Sequence, residues 1–218
     1  MENKKYELIQ GSEITICGDT NLMRIRALRD FGDVKKEDIG GYVQSEENLS
    51  HYGNCWVYND ARAYGDAIVF GDARAYGDAI VFGDARVYGD AIVFGDARVY
   101  GDARVYGDAR VCDNARVYGD ARVCDNAIVC DNARVFGDAR VFGDAEVEGA
   151  LDYIVFKNWW SSGRFFTWTR SNNMWKVGCF YGTGEALIKK AYADSERSGR
   201  EYERIVKYVE EILRDERE

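Results

Sequence analysis

The amino-acid sequence predicts a mainly β fold, a parallel β-helix of about six coils followed by a small α+β domain. The first observation is a period of six: fifteen units of the form Ala-Arg-Val-Tyr-Gly-Asp run from Ala61 to Gly149 without an insertion. The second is alternation, because Ala and Val fall on one side of each extended unit and Arg and Tyr on the other. The third is the Gly-Asp pair that turns the chain. Three units close a triangular coil of eighteen residues with Ala and Val inside.

The period divides the chain into three predicted parts. Residues 1–42 form an N-terminal β cap, residues 43–151 form the β-helix, and residues 152–218 form the α+β domain with three short strands and two helices. In the cap, short alternating segments are broken by glycines, which is typical of strands and turns. In the tail, the second helix is predicted to begin with a capping box formed by Ser198 and Glu201.

Composition and charge restrict the classes of function. The net charge of −9 argues against general DNA or RNA binding, which needs a basic surface. No apolar run is long enough for a membrane span, so we expect a cytoplasmic protein that contacts no membrane. The six cysteines are not arranged as a disulfide framework, which indicates reduced thiols in a reducing compartment.

Motifs at both ends of the array carry a resemblance. Asn54–Tyr58 at the front, and Trp160–Arg164, Thr169–Asn172 and Trp175–Phe180 in the tail, together with the six-residue units, resemble phage-encoded hexapeptide-repeat β-helix proteins. These are related in fold to hexapeptide acyltransferases and γ-carbonic anhydrases. The resemblance covers essentially the whole chain and implies a left-handed coil, a homotrimer and a location in the host cytosol. Some phage proteins of similar architecture act as sponges that bind nucleotide signals of host immunity without cleaving them.

Enzymatic chemistry is not expected, and no catalytic residue, cofactor or metal is predicted. The chain has a single histidine, whereas a γ-carbonic anhydrase needs three histidine ligands. That residue, His51, falls in an inward-facing slot, which favours packing over the general-base role that the acyltransferases require. Cys112 and Cys130 stack on adjacent coils, but two thiols are too few for a metal site, and tolerated replacement of Tyr is the favoured explanation. A divergent hexapeptide acyltransferase stays an alternative.

One outward face of the predicted prism is less basic than the other two. Positions eighteen apart stack on one face, and this face carries two Arg where each of the others carries four. A contiguous apolar patch usually marks association, so this face is the predicted interface of a homotrimer. Solvent-exposed stacking of Arg on Tyr is the alternative for all three faces. The predicted interface residues are Trp56, Tyr58, Tyr76, Ile92, Phe94 and Ile128.

The segment from Lys157 to Gly184 concentrates aromatic and basic residues. It holds four of the five tryptophans and four basic residues without a carboxylate. Aromatic rings stack on bases, and cations and hydroxyls bind phosphate, so the segment predicts a site for a small anionic, nucleotide-type ligand. The alternative is a sheet packed on the two helices. The predicted site residues are Trp159, Trp160, Arg164, Thr167, Trp168, Arg170, Trp175 and Lys176.

Together these features predict a non-catalytic trimeric protein that sequesters such a ligand, as a phage counter-defence sponge would. A structural or protein-interaction scaffold, such as a virion component, is the leading alternative.

Overall fold

A computed structural model describes residues 4–16 and 19–215. Residues 1–3 and 17–18 of the predicted cap, and residues 216–218 of the predicted tail domain, lie outside the described ranges. The chain divides into two compact units, Met1–Ala150 and Leu151–Glu218. The first holds the cap and the repeat array, and the second holds the tail.

The first unit begins with a small antiparallel sheet, here called the cap. Its strands are β1 Tyr6–Leu8, β2 Ile14–Ile16, β3 Thr20–Ala27 and β4 Ile39–Val43. The central strand β3 pairs with β1, β2 and β4, and a 3-10 helix at Glu46–Asn48 follows. Strand β4 pairs in parallel with Arg62–Ala63, a strand of the array, and so joins the cap to the array.

The repeat array forms a β-solenoid built from strands of two or three residues. Each strand covers the Arg-Val part of one unit, because the Gly-Asp pair turns the chain before the next unit begins. The strands are β5 Trp56–Val57, β6 Arg62–Ala63, β7 Ile68–Val69, β8 Arg74–Ala75, β9 Ile80–Val81, β10 Arg86–Val87, β11 Ile92–Val93, β12 Arg98–Tyr100, β13 Arg104–Val105, β14 Arg110–Val111, β15 Arg116–Tyr118, β16 Arg122–Val123, β17 Ile128–Val129, β18 Arg134–Val135, β19 Arg140–Val141 and β20 Glu146–Val147.

Three parallel sheets make the faces of the solenoid. Face 1 contains β4-β6-β9-β12-β15-β18, face 2 contains β7-β10-β13-β16-β19, and face 3 contains β5-β8-β11-β14-β17-β20. Residues eighteen apart are paired, as Arg98 with Arg116 and Val99 with Val117. The mainly β fold with about six turns and parallel sheets confirms the predicted solenoid.

The interior consists of the Ala and Val residues of the units. Ala97 and Val99, like nearly all their counterparts, are fully buried. At the corners the backbone is left-handed, which Gly adopts without a steric cost. Where Gly is replaced, Asn59, Asp113, Asp125 and Asp131 take the same conformation, with φ between 52° and 60°. Asn and Asp are the non-glycine residues that best tolerate it.

Outward aromatic residues form ladders along the coils. On face 1, five rings stack nearly parallel with centroids 4.8–5.4 Å apart. The five are Tyr64, Phe82, Tyr100, Tyr118 and Phe136. On face 2 a shorter ladder joins Phe70, Tyr88 and Tyr106. The period of the sequence therefore produces rigid, flat rows of rings at the surface.

The second unit is a four-stranded antiparallel sheet followed by two helices. The predicted third strand over residues 175–180 is instead two strands, because Gly178 turns the chain at φ 57°. The bounds are β21 Tyr153–Lys157, β22 Phe165–Thr169, β23 Met174–Val177, β24 Phe180–Gly182, α1 Gly184–Asp194 and α2 Glu196–Asp215.

The helix starts differ partly from the sequence prediction. The side chain of Thr183 accepts a hydrogen bond from Ala186 N and caps α1. The predicted capping box at Ser198 is wrong, because Ser198 lies inside α2 and its backbone N–H donates to Ser195 Oγ. Neither helix of the described residues is long and apolar enough to cross a bilayer.

Candidate functional site

Three of the tail tryptophans lie in the core of the second unit. Trp160, Trp168 and Trp175 are 6%, 1% and 2% exposed. Trp168 and Trp175 are cross-strand partners on the side of the sheet that packs on the helices. The other core members are Phe166, Leu187, Ala191, Tyr202, Val206 and Val209.

This packing corrects the predicted ligand site. Trp160, Trp168 and Trp175 cannot stack on a ligand, because neighbouring side chains cover their rings. Thr167 lies on the opposite side of the sheet, where it is 1% exposed and pairs with Lys176 of the next strand. The Nε atom of Arg170 donates to the carbonyl oxygen of Leu151 at 3.1 Å. The alternative of a sheet packed on two helices describes these residues better than a pocket does.

Two predicted site residues remain at the surface, in the loop between β21 and β22. Trp159 is 68% exposed, and Arg164 at the end of the loop is also exposed. The loop is closed by Asn158 N–H, which donates to the Arg164 carbonyl at 2.8 Å. The Asn158 side chain donates to Tyr202 Oη at 3.0 Å and fixes the loop to the core. An exposed ring is thus held on an ordered turn that ends at the exposed Arg164, while Lys157 Nζ lies 5.4 Å from the centre of the Phe165 ring.

The predicted subunit interface is partly covered by the cap. Trp56 is 1% exposed, because its ring packs edge-on against Tyr6 and Phe31, so its assignment to an interface is wrong. Tyr58 donates to Asp33 Oδ1 at 2.7 Å and stacks on Tyr76. The other three residues of the predicted interface lie on the middle and later coils of face 3 and are half-buried: Ile92, Phe94 and Ile128.

A cluster of thiol and carboxylate groups lies at one edge of face 3. One sulfur or oxygen atom each from Cys130, Asp131 and Glu148 lie within 4.8 Å of one another. The thiol of Cys112, one coil away, interacts with Cys130. Burial, together with Cys130 and the Asp113 carboxylate, raises the pKa of Cys112 to about 12. Sequence reasoning counted only the two thiols, although Glu148 stands eighteen residues after Cys130 and so falls in the same column.

Comparison with known families agrees with the fold. The family model described as the YdcK beta solenoid repeat matches residues 97–112 and 109–124. These residues lie in the middle of the array, so the chain is similar to that repeat over Ala97 to Cys124. No curated protein gave a match to the chain. Together with the three parallel sheets, the match supports a β-helix repeat protein.

Proposed function

We propose that the chain is a non-catalytic interaction scaffold, a homotrimer that associates through face 3 and offers face 1 to a protein partner. The observation that carries the proposal is the burial of Trp160, Trp168 and Trp175. That burial removes three of the four tryptophan rings of the predicted nucleotide site. The long faces of the solenoid remain as the extended surface for recognition, and Tyr and Arg, which are frequent on them, are enriched among residues that dominate interface energetics.

Face 3 suits self-association because its outward side is the least basic of the three. Its outward side presents Ile92, Phe94 and Ile128 on the middle and later coils, and all three are half-buried in the single chain. The exposed Arg110 lies between Ile92 and Ile128 in their column, and the apolar side chains on either side of it are of the kind that a second copy commonly covers. The cap covers Trp56 on the first coil. The proposed interface therefore consists of the coils that follow the first one in the sequence.

Face 1 suits a partner protein because its recognition groups are already ordered. Its five stacked rings are held in one conformation by their neighbours, so little side-chain entropy is lost when a partner covers them. Arg98 is exposed beside this ladder, and Arg116 follows it in register. Guanidinium groups next to aromatic rings fit a partner surface that combines carboxylates with apolar side chains.

Native mass spectrometry of the full chain tests the self-association. The protomer has a mass of 24.7 kDa, and we expect a complex of three protomers. The double variant Ile92→Asp and Phe94→Asp should give a monomer. A matched control exists on face 1, where Ile80→Asp and Phe82→Asp change the same residue types and should leave the trimer intact. Face 3 would be excluded as the interface if the wild type were a monomer, or if both double variants lost the trimer to the same extent.

Affinity capture from host cells tests the partner surface. A protein retained by the wild type and the face 3 variant, but lost with Ile80→Asp and Phe82→Asp, would support face 1 as its binding site. Cross-linked peptides should then map beside Arg98 or Arg116. Loss with the face 3 variant alone would show that the partner recognises the assembled oligomer instead.

A second function, sequestration of a nucleotide-type ligand, is favoured by one observation: Trp159 is 68% exposed between Lys157 and Arg164. A base stacked on this ring would bring its phosphate to the loop that carries the exposed Arg164. The resemblance to phage proteins that bind nucleotide signals agrees with this chemistry. Cyclic oligonucleotides and ADP-ribose derivatives should quench tryptophan fluorescence in the wild type and in Lys189→Ala, but not in Trp159→Ala. Absence of quenching, or retained binding in Arg164→Ala, would remove this candidate.

A further inference from the structure

Three successive coils bring metal-binding side chains into one column. Cys112, Cys130 and Glu148 are eighteen residues apart, and the backbone fixes their register. Cys112 N donates to the Val129 carbonyl at 2.9 Å, and Cys130 N donates to the Val147 carbonyl at 3.0 Å. Neighbouring strands lie about 4.8 Å apart, so consecutive members of the column are within reach of one ion.

The side chains of this column converge with a fourth ligand. One ligand atom each from Cys130, Asp131 and Glu148 lie within 4.8 Å of one another, and the Cys112 thiol interacts with Cys130. In a tetrahedral zinc site the ligand atoms lie at about 2.0–2.3 Å from the ion, which puts neighbouring ligands roughly 3.3–3.8 Å apart. Asp131 and Glu148 are exposed and can rotate toward Cys130, whereas Cys112 lies outside this set of mutually close atoms and is placed next to it by its contact with Cys130.

The charge of the cluster suits a cation. Asp131 and Glu148 bring two carboxylates to Cys130, and Asp113 follows Cys112 at the corner one coil earlier. Cysteine binds a divalent ion as the thiolate, so binding through both thiols would release protons to solvent.

In the repeats, cysteine and aspartate replacements occur together. Cysteine replaces the aromatic residue of the repeat three times, at Cys112, Cys124 and Cys130, and each time Asp replaces the following Gly. Asp113 and Asp131 then occupy a left-handed corner at φ 58° and 56°, which Gly adopts at lower cost.

The third Cys-Asp pair has a different environment. Cys124 is stacked between coils that carry Tyr106 and Phe142 in its column, so it has no second thiol above or below it. It therefore serves as an internal control for the first two pairs.

We infer that Cys112, Cys130, Asp131 and Glu148 form a binding site for a thiolate-preferring divalent cation of the zinc class. The ligand set of two thiolates and two carboxylates matches the donors and coordination number of zinc. All four residues come from one chain, so the site does not depend on the proposed assembly. A bound ion would cross-link three coils at the end of the array.

Cobalt titration of the reduced, metal-free full chain tests the site. We expect one cobalt per chain with thiolate-to-metal charge-transfer absorption, and displacement of cobalt by zinc. Calorimetry in buffers of different ionisation enthalpy should show proton release on zinc binding. Cys112→Ser and Cys130→Ser should each abolish the charge-transfer band, and Glu148→Gln should lower zinc affinity by about tenfold or more.

Cys124→Ser is the matched control and should bind cobalt like the wild type. Circular dichroism establishes that each variant is folded before titration. The inference is overturned if the wild type shows no charge-transfer band, if Cys130→Ser keeps it, or if Cys124→Ser loses it. It is also overturned if the purified chain contains a Cys112–Cys130 disulfide and binds no cobalt after reduction.

Discussion

The Nζ atom of Lys5 lies 2.8 Å from the carbonyl oxygen of Cys55 and 3.1 Å from its Sγ atom. Lys5 is fully buried, and its ammonium group also lies 4.9 Å from the centre of the Phe31 ring. Its backbone N–H donates to His51 Nδ1 at 3.3 Å. One residue of the cap thus contacts the first coil through both its backbone and its side chain. Closing the end of the solenoid also hides a strand edge that would otherwise pair with other chains.

Removal of this contact should destabilise the first unit. Lys5→Met leaves the buried Cys55 carbonyl without its side-chain donor, which costs about 1–3 kcal/mol of unfolding free energy. Urea unfolding followed by circular dichroism measures the loss. The matched control is Lys4→Met, which breaks an exposed ion pair with Glu46 and should cost less than about 1 kcal/mol. Equal effects of the two substitutions would show that the buried contact does not anchor the cap.

The same lysine predicts a pH dependence of stability. Burial lowers the pKa of Lys5 below its ordinary value of 10.5. Between the lowered pKa and 10.5 the unfolded chain binds more protons than the folded one, so stability rises with pH in that window. The raised pKa of Tyr6 acts in the opposite direction near and above about pH 10, and the raised pKa of Cys55, whose ordinary value is 9.0, does so from about pH 9 upward.

Urea midpoints from neutral pH to about pH 9.5 test this dependence. The wild type should gain stability over that range relative to Lys5→Met, which lacks the titrating group. Parallel curves for the two proteins would contradict the assignment.

The solenoid was predictable because each of its determinants is local. An inward Ala or Val, an outward Arg or Tyr and a Gly-Asp corner recur every six residues, so strand, face and turn follow from the sequence alone. By contrast, the segment that covers a face of the solenoid is distant in sequence from the residues it covers. Trp56 stands in an outward slot of the repeat, yet Phe31 of the cap packs against it, and no periodicity of the array predicts that contact.

The tail is a second case in which the sequence pattern does not predict what covers a side chain. The alternation of side chains along β22 places Phe166 and Trp168 on one side of the strand, but it cannot tell a ring covered by helices from a ring that lines a pocket. The thiol and carboxylate cluster was predictable in principle, since Glu148 shares the column of Cys112 and Cys130. It was missed because the column was followed from Cys112 to Cys130 but not to the next coil, where Glu148 lies.

The glycine corners predict a graded response to a methyl group. Gly89→Ala would place a Cβ atom 2.9 Å from the backbone nitrogen of Gly107 in the next coil, at φ 70°. Gly137→Ala has a similar φ of 61° but meets nothing within 4 Å. We expect Gly137→Ala to cost about 1–2 kcal/mol from the left-handed backbone alone. Gly89→Ala should cost about 1–3 kcal/mol more, because adjacent coils must separate.

Chemical denaturation of both glycine variants gives this difference. The comparison isolates coil-to-coil contact, since the residue change and the backbone region are the same in the two variants. Equal losses of unfolding free energy in the two variants would mean that adjacent coils can separate to accommodate the methyl group without a measurable cost.

Substitution of two tail tryptophans separates the packing role from the surface role. Trp168→Ala removes a ring that is 1% exposed and should cost about 3–5 kcal/mol, as large-to-small changes in a core do. Its Nε1 atom also donates to Asn173 Oδ1 at 2.9 Å, and this hydrogen bond is lost. Trp159→Ala removes a ring that is 68% exposed and should change stability by less than about 0.5 kcal/mol.

Thermal unfolding and near-ultraviolet circular dichroism of the full chain measure both tryptophan effects. Trp168→Ala should lose the aromatic signal of the second unit, whereas Trp159→Ala should keep it and lose only fluorescence quenching by a nucleotide, if one binds. A stable Trp168→Ala variant with native aromatic dichroism would contradict the packed core. It would return Trp168 to the set of residues that can contact a ligand, because a ring that can be removed without cost is not holding the sheet and helices together.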